Sequence, residues 1–206
     1  MQIGNHNIRA FVVTVQEMPE REAFIQKHFK SVGIEAECFN GIHGVTSGLR
    51  TTFPYEVDAP GSGWNIGVKP VATFISFYML WSAMSFMPEH YFWQLEWDCH
   101  FPDDWKPRVE AALRDVPPDF DMLYIGSCCT NGLTKTHISG NVYDVRYPQC
   151  GHSIIIAKKA LPVLLRTQRK VWAPLDISLK FHSLSLLKTY TVLPAICFQF
   201  DTVLPP

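Results

Sequence analysis

The first forty residues constrain the fold more than anything that follows them. Residues 8–15 (IRAFVVTV) are rich in β-branched side chains and read as a buried strand. Pro19 suits a first helical turn, and Glu20 and Glu22 suit the positive end of a helix. Phe24, Ile25, His28, Phe29 and Val32 then fall on one face, and Gly33 ends the helix. Ile34, Ala36 and Cys38 alternate with Glu35 and Glu37, which predicts a second strand. A strand, a helix and a strand this close together make a βαβ unit with parallel strands and a right-handed crossover. Asn40-Gly41 follows at the carboxyl end of the second strand, the edge where open α/β sheets hold ligands.

The rest of the chain continues the alternation. Residues 45–69 read as a long loop, with Pro54, Pro60 and several glycines. Residues 70–88 carry no charge and predict a helix that is apolar nearly all round, with Phe74, Phe77, Tyr78 and Trp81 at helical spacing. Charged, strand-forming sequence resumes beyond it, so it reads as a core helix and no transmembrane segment is expected. Residues 91–97 form an aromatic strand, and a helix from Pro102 puts Trp105, Val109, Ala112, Leu113 and Val116 on one face. Residues 121–126 (DMLYIG) are a strand, 127–150 are irregular and polar, and 153–157 are a short β run. Helices at 158–167 and 173–181 and a strand at 188–192 complete the pattern. We expect one α/β domain over 1–206, Rossmann-like, with a mostly parallel central sheet flanked by helices.

Composition excludes several classes. Hydrophobic residues are 47% against 18% charged, too apolar for a disordered chain. Eighteen basic and nineteen acidic residues leave a charge of −1, so no nucleic-acid partner is expected. The start has no basic n-region before an apolar stretch, so no signal peptide is seen and a cytoplasmic location is expected. The six cysteines form no C-x-x-C pair and read as reduced, mostly buried thiols, with the vicinal Cys128–Cys129 a candidate redox pair.

The sharpest chemical feature is Glu96-x-Asp98 at the end of the aromatic strand. Two carboxylates at a strand end can turn toward one hard cation, Mg²⁺ or Mn²⁺, which in turn binds phosphates. The plain alternative is a solvated strand end. Taken in order, the landmarks resemble glycosyltransferase family 25, the group of lipooligosaccharide and collagen galactosyltransferases. The residues that carry the resemblance are FVVTVQEMPERE, then GIEAECFNGIHG, then Ser76 through Trp81 and Glu96-Trp97-Asp98. Asp121 through Gly126, His152 through Ala160, Pro174-Leu175-Asp176 and Pro194 through Gln199 follow. The resemblance spans residues 8–200. Three positions depart from the family pattern: Phe77 stands for a His, Trp97 for the middle Asp and Ile154 for a Tyr.

The resemblance implies a GT-A-like fold and inverting, metal-assisted transfer of a hexose such as galactose. The donor would be a UDP-sugar, and the acceptor a saccharide or protein, as in lipopolysaccharide biosynthesis. Glu96 and Asp98 would hold the ion. Thr14, Arg21, Asn40 and Gly41 would surround the nucleotide, although Arg21 also suits an ion pair with Glu17 or Glu22. Asp176 would be the base, its alternative being a helix N-cap. His152 would lie near donor or acceptor, its alternative being a structural histidine. Trp97 and Trp105 are sugar-stacking candidates, while Trp81 and Trp93 read as core. The departures at Phe77 and Trp97 also admit a catalytically inactive relative that binds glycan or protein.

Overall fold

A computed structural model describes residues 1–44, 68–128, 134–145 and 147–199. The opening unit is present as β2 (His6–Thr14), α1 (Pro19–Ser31) and β3 (Ala36–Asn40), with β2 and β3 parallel. A short β1 (Gln2–Ile3) folds back on the start of β2. The uncharged segment is α2 (Val68–Ser85), followed by β4 (Tyr91–Glu96), β5 (Cys99–His100) and α3 (Trp105–Asp115). Next come β6 (Met122–Cys128), β7 (Lys135–Ser139), β8 (Val142–Val145) and β9 (Gln149–Ala157). The chain then forms α4 (Leu161–Thr167), α5 (Leu175–His182), β10 (Thr189–Val192) and β11 (Phe198–Gln199).

Nine of these strands form one sheet among the described residues, in the order β1-β2-β4-β9-β6-β10-β8-β7, with β3 beside the far half of β2. β2, β3, β4, β6, β7 and β10 run one way, and β1, β8 and β9 run the other. The α/β class with helices on both faces of a predominantly parallel-running sheet therefore holds. It departs from a simple doubly wound sheet at β9, an antiparallel strand between β4 and β6, at β8, antiparallel between β10 and β7, and at the short β1, antiparallel to β2.

Each central strand is buried on both faces, which explains its near-continuous apolar sequence. Ala10, Val12, Trp93, Leu95, Leu123, Ile125 and Ile155 pack with Ile25 and Phe29 of α1 and Trp105 and Val109 of α3. Their chain neighbours Phe11, Phe92, Met122, Tyr124, Ile154 and Ile156 pack on the other face, against Leu80, Trp81 and Met84 of α2 and Leu161, Leu164 and Leu179 of α4 and α5. The period of two along each strand thus sorts residues into two helical layers. α2 is apolar all round because its outer side is covered too, Phe74 and Ile75 packing with Val171. Its Trp81 indole N–H donates to Gln94 Oε1 at 2.6 Å, which satisfies a polar side chain in the middle of β4. Among the described residues no helix is long and apolar enough to cross a membrane.

Three expectations need correcting. The stretch 127–150 is not uniformly irregular, since β7 and β8 form a hairpin across Gly140 and β9 begins at Gln149. Trp105 is no sugar platform: it is 2% exposed and its indole N–H donates to Val32 O at 2.7 Å. The cysteines are not all reduced, because Cys128 and Cys150 form a disulfide between β6 and β9, with Cα atoms 5.7 Å apart. Cys99 and Cys197 are buried free thiols, Cys38 is an exposed one, and Cys129 lies outside the described residues. So does most of the 45–69 segment.

Candidate active site

The register of the sheet assembles the site. Thr14 pairs with Asn40, and Val13 pairs with Glu96, so the ends of β2, β3 and β4 present these residues at one carboxyl edge. A cavity of about 430 Å³ opens there, walled by Thr14, Arg21, His43, Lys69, Glu96 and Trp97 among others. A second cavity of about 330 Å³ adjoins it and is lined by Asp176, Gly151, Leu179 and Gln199. Lys69, Thr73, Phe77 and Glu96 belong to both, so the two form one cleft with Glu96 at the waist.

Lys69, Thr73 and Phe77 are spaced at i, i+4 and i+8, which puts them on one face of α2, over the cleft. Opposite them, Glu96 and Asp98 converge on one amide: Gln199 Nε2 donates to Glu96 at 3.2 Å and to both oxygens of Asp98 at 3.4 Å. Burial, reinforced by the charge of Asp98, pushes the Glu96 carboxyl up to about 7. The pair is thus an acidic site short of positive charge.

Arg21 sits in the first turn of α1, and its guanidinium carbon lies 4.6 Å from the centroid of the Trp97 ring. Arg21 Nε is buried without a hydrogen-bond partner. Thr14 is 6% exposed, and its Oγ1 also has no partner.

Asn40 and Gly41 shape the wall without lining either cavity. Asn40 Oδ1 accepts the Gln16 N–H at 2.9 Å, fastening the turn after β2. Gly41 gives close approach to α2 and not to a ligand, because a Cβ there would lie 2.5 Å from Ser76 Oγ. That hydroxyl accepts the Ile42 N–H at 2.8 Å and donates to Ala72 O at 2.7 Å.

Asp176 lies in the second cavity, one residue inside the first turn of α5, whose N-cap is Pro174. It is therefore not the cap itself. Its Oδ1 accepts the Ile177 N–H at 2.8 Å and its Oδ2 the Cys150 N–H at 3.3 Å. His152 is 2% exposed and sits beneath the floor of the cleft. Its Nε2 is 3.2 Å from Cys197 O, and Cys99 Sγ donates to its backbone carbonyl at 2.8 Å. A direct role at a bound substrate does not suit that depth. Lys69 and Gln199 are the cleft residues that motif reading left without roles. Lys69 closed an apparent loop, and Gln199 gained its place only when β11 paired with β5.

No family model matches the chain, and no curated protein matches it. One similar solved structure is a glycosyltransferase involved in the glycosylation of the major capsid of PBCV-1. It has 9% identity and a TM-score of 0.45, over 78% of this chain and 65% of that one, so the chain spans somewhat less than two thirds of its length. Another is the inositol-1-phosphate CTP transferase from T. maritima, at 10% identity and a TM-score of 0.42, over 94% and 91% of the two chains.

Proposed function

We propose that the cleft transfers a hexosyl group from a nucleoside-diphosphate sugar to a hydroxyl acceptor, with inversion at the anomeric carbon. The observation that carries the reading is the two-part cleft, with Glu96 at its waist, a cationic and aromatic half at the strand ends and Asp176 in the other half. The nucleotide occupies the half of Thr14, Arg21 and Trp97. The acceptor enters the half of Asp176. The acceptor oxygen attacks the anomeric carbon, its proton passes to the Asp176 carboxylate, and the bond from that carbon to the diphosphate oxygen breaks.

What supports a divalent ion here is that Glu96 at the waist and Asp98 beside it, which lines neither cavity, are two hard carboxylates sharing one donor. Glu96 and Asp98 would hold Mn²⁺ or Mg²⁺, which would supply positive charge to the departing diphosphate. A carboxylate bound to such an ion makes a poor base, so the base and the metal ligands are separate residues. His152 supports the floor of the site and does not take the acceptor proton.

Calorimetry with UDP, with and without Mn²⁺, and turnover of UDP-galactose test the reading together. Asp98→Asn is expected to remove the metal-dependent part of UDP binding. Asp176→Asn is expected to keep UDP binding and cut turnover roughly 10²–10⁴-fold, the usual worth of a general base. Equal loss of UDP binding in both variants would overturn the assignment of Asp176. UDP binding with no turnover of any UDP-hexose would instead favour a non-catalytic glycan-binding relative, the reading that the substitutions Phe77 and Trp97 motivate.

A further inference from the structure

Lys69 occupies a place that is hard to explain by folding alone. It is the second residue of α2, whose first turn contains no acidic side chain. A helix N-terminus carries roughly half a positive charge, so a lysine there repels its own helix unless an anion lies between them. Lys69 is exposed and has no ion pair among the described residues. It also lines both halves of the cleft, one turn before Thr73, in cavities that Glu96 lines too.

The first cavity holds two further unmatched donors. Thr14 is 6% exposed and its Oγ1 has no partner, and Arg21 Nε is likewise buried and unsatisfied. A buried hydroxyl and a buried guanidinium nitrogen each cost stability when left without an acceptor. Both residues line a cavity of about 430 Å³, and donors left unmatched just beneath its surface suit an anion with several oxygens. Glu96 does not serve as that acceptor, since its carboxyl is turned to Gln199.

We infer that Lys69, Arg21, Thr14 and the N-terminus of α2 form a diphosphate site that binds its anion without a metal ion. Lys69 meets the phosphate at the waist of the cleft, next to the bond that breaks, and Arg21 and Thr14 meet the phosphate on the nucleoside side. Lys69 thereby neutralises the leaving group alongside, and independently of, any ion on Glu96 and Asp98. The inference rests on the proposed function for the order of the two phosphates, but not for the presence of an anion site.

Titration of the chain with inorganic pyrophosphate in EDTA tests it, with UDP plus Mn²⁺ titrated in parallel. Pyrophosphate is expected to bind in EDTA, and Lys69→Gln to weaken it roughly 10- to 100-fold, as loss of a charge-assisted contact does. Lys106→Gln, which removes an exposed charge from α3, is the matched control and is expected to change nothing. Pyrophosphate binding only when Mn²⁺ is present, or equal weakening by Lys69→Gln and Lys106→Gln, overturns the inference. In either case UDP binding with Mn²⁺ still supports the proposed function. Failure of UDP with Mn²⁺ while pyrophosphate binds in EDTA keeps the anion site and removes the nucleotide-sugar reading.

Discussion

Gly126 shows how much a single position can hold. A Cβ there would fall on the Nε2 and Cδ2 atoms of His152 and lie 3.0 Å from Cys197 O. The Nε2–Cδ2 edge of the imidazole therefore packs against the β6 backbone at Gly126. Gly126→Ala is expected to cost about 1–3 kcal/mol, the range for overpacking a tight core. The same substitution in a His152→Ala background is expected to cost less than half as much, because the ring is gone and only the carbonyl contact remains. Urea denaturation of the four variants in a double-mutant cycle measures this, and equal costs in both backgrounds would refute the packing account. Neither residue announces the contact in sequence. Gly126 ends a readable strand, and His152 looks like a site residue because a histidine before an apolar run carries no mark of its depth. Thr14, Arg21, Glu96 and Asp176 were legible because their positions follow from strand and helix ends. Asn40 and Gly41, expected around the nucleotide, line neither cavity and act as support: Asn40 fastens the turn at Gln16, and Gly41 makes room for Ser76, which comes from an element thirty-odd residues away.

Between elements, α1 and β5 meet through stacked imidazoles. The His28 and His100 rings lie 4.5 Å apart at 11°, and His28 Nε2 accepts the Phe101 N–H at 3.1 Å. That acceptor must be unprotonated. Burial first, and the neighbouring His100 second, hold the His28 pKa below its ordinary value. The unfolded chain, with a pKa of about 6.5, therefore takes up a proton at a higher pH than the folded chain. His28 contributes its stability fully above about pH 6.5, and loses it as pH falls through that value toward the lower folded pKa. Glu96 acts in the opposite sense. Its folded pKa of about 7 exceeds that of a free carboxyl, so its contribution is present at low pH and lost as pH rises toward 7. The measurable quantity is thus a difference between variants: His28→Gln is expected to be less acid-sensitive than the parent between pH 7 and 5, by urea midpoint. Identical slopes would show that His28 does not titrate across folding. The elements themselves were legible where both faces of a strand are buried, as in β2, β4 and β6. β7 escaped because four of its five residues are exposed, which leaves no apolar rhythm to detect. The start of β9 escaped because Tyr147 and Cys150 adopt positive φ, breaking the extended run that propensity anticipates.

Across the whole molecule, the parallel opening unit was readable and the strand order was not. The position of β9 depends on pairings with β4 and β6 that no local pattern records. One covalent link reinforces that position. The Cys128–Cys150 bridge closes a separation of 22 residues between neighbouring antiparallel strands. The loop-closure model gives it about 3 kcal/mol. Reduction is expected to lower the unfolding free energy by that amount, measured in urea with and without a reductant. Cys128→Ser/Cys150→Ser is expected to match the reduced parent and to ignore the reductant. Reductant sensitivity surviving in the double variant would place the effect elsewhere.

The seat of β9 also has a consequence in time. A chain made from its N-terminus presents β2, β3 and β4 early, but the far edge of β4 has no neighbour until residues 149–157 exist. At about 5–20 residues per second, the roughly sixty residues between Glu96 and Ala157 take on the order of several seconds to synthesise. Throughout that interval the nascent sheet carries an open backbone edge flanked by Phe92, Trp93 and Leu95, the kind of edge to which other unfinished chains add. The interval between the synthesis of β4 and that of β9 is therefore when a growing chain is most open to pairing with other chains.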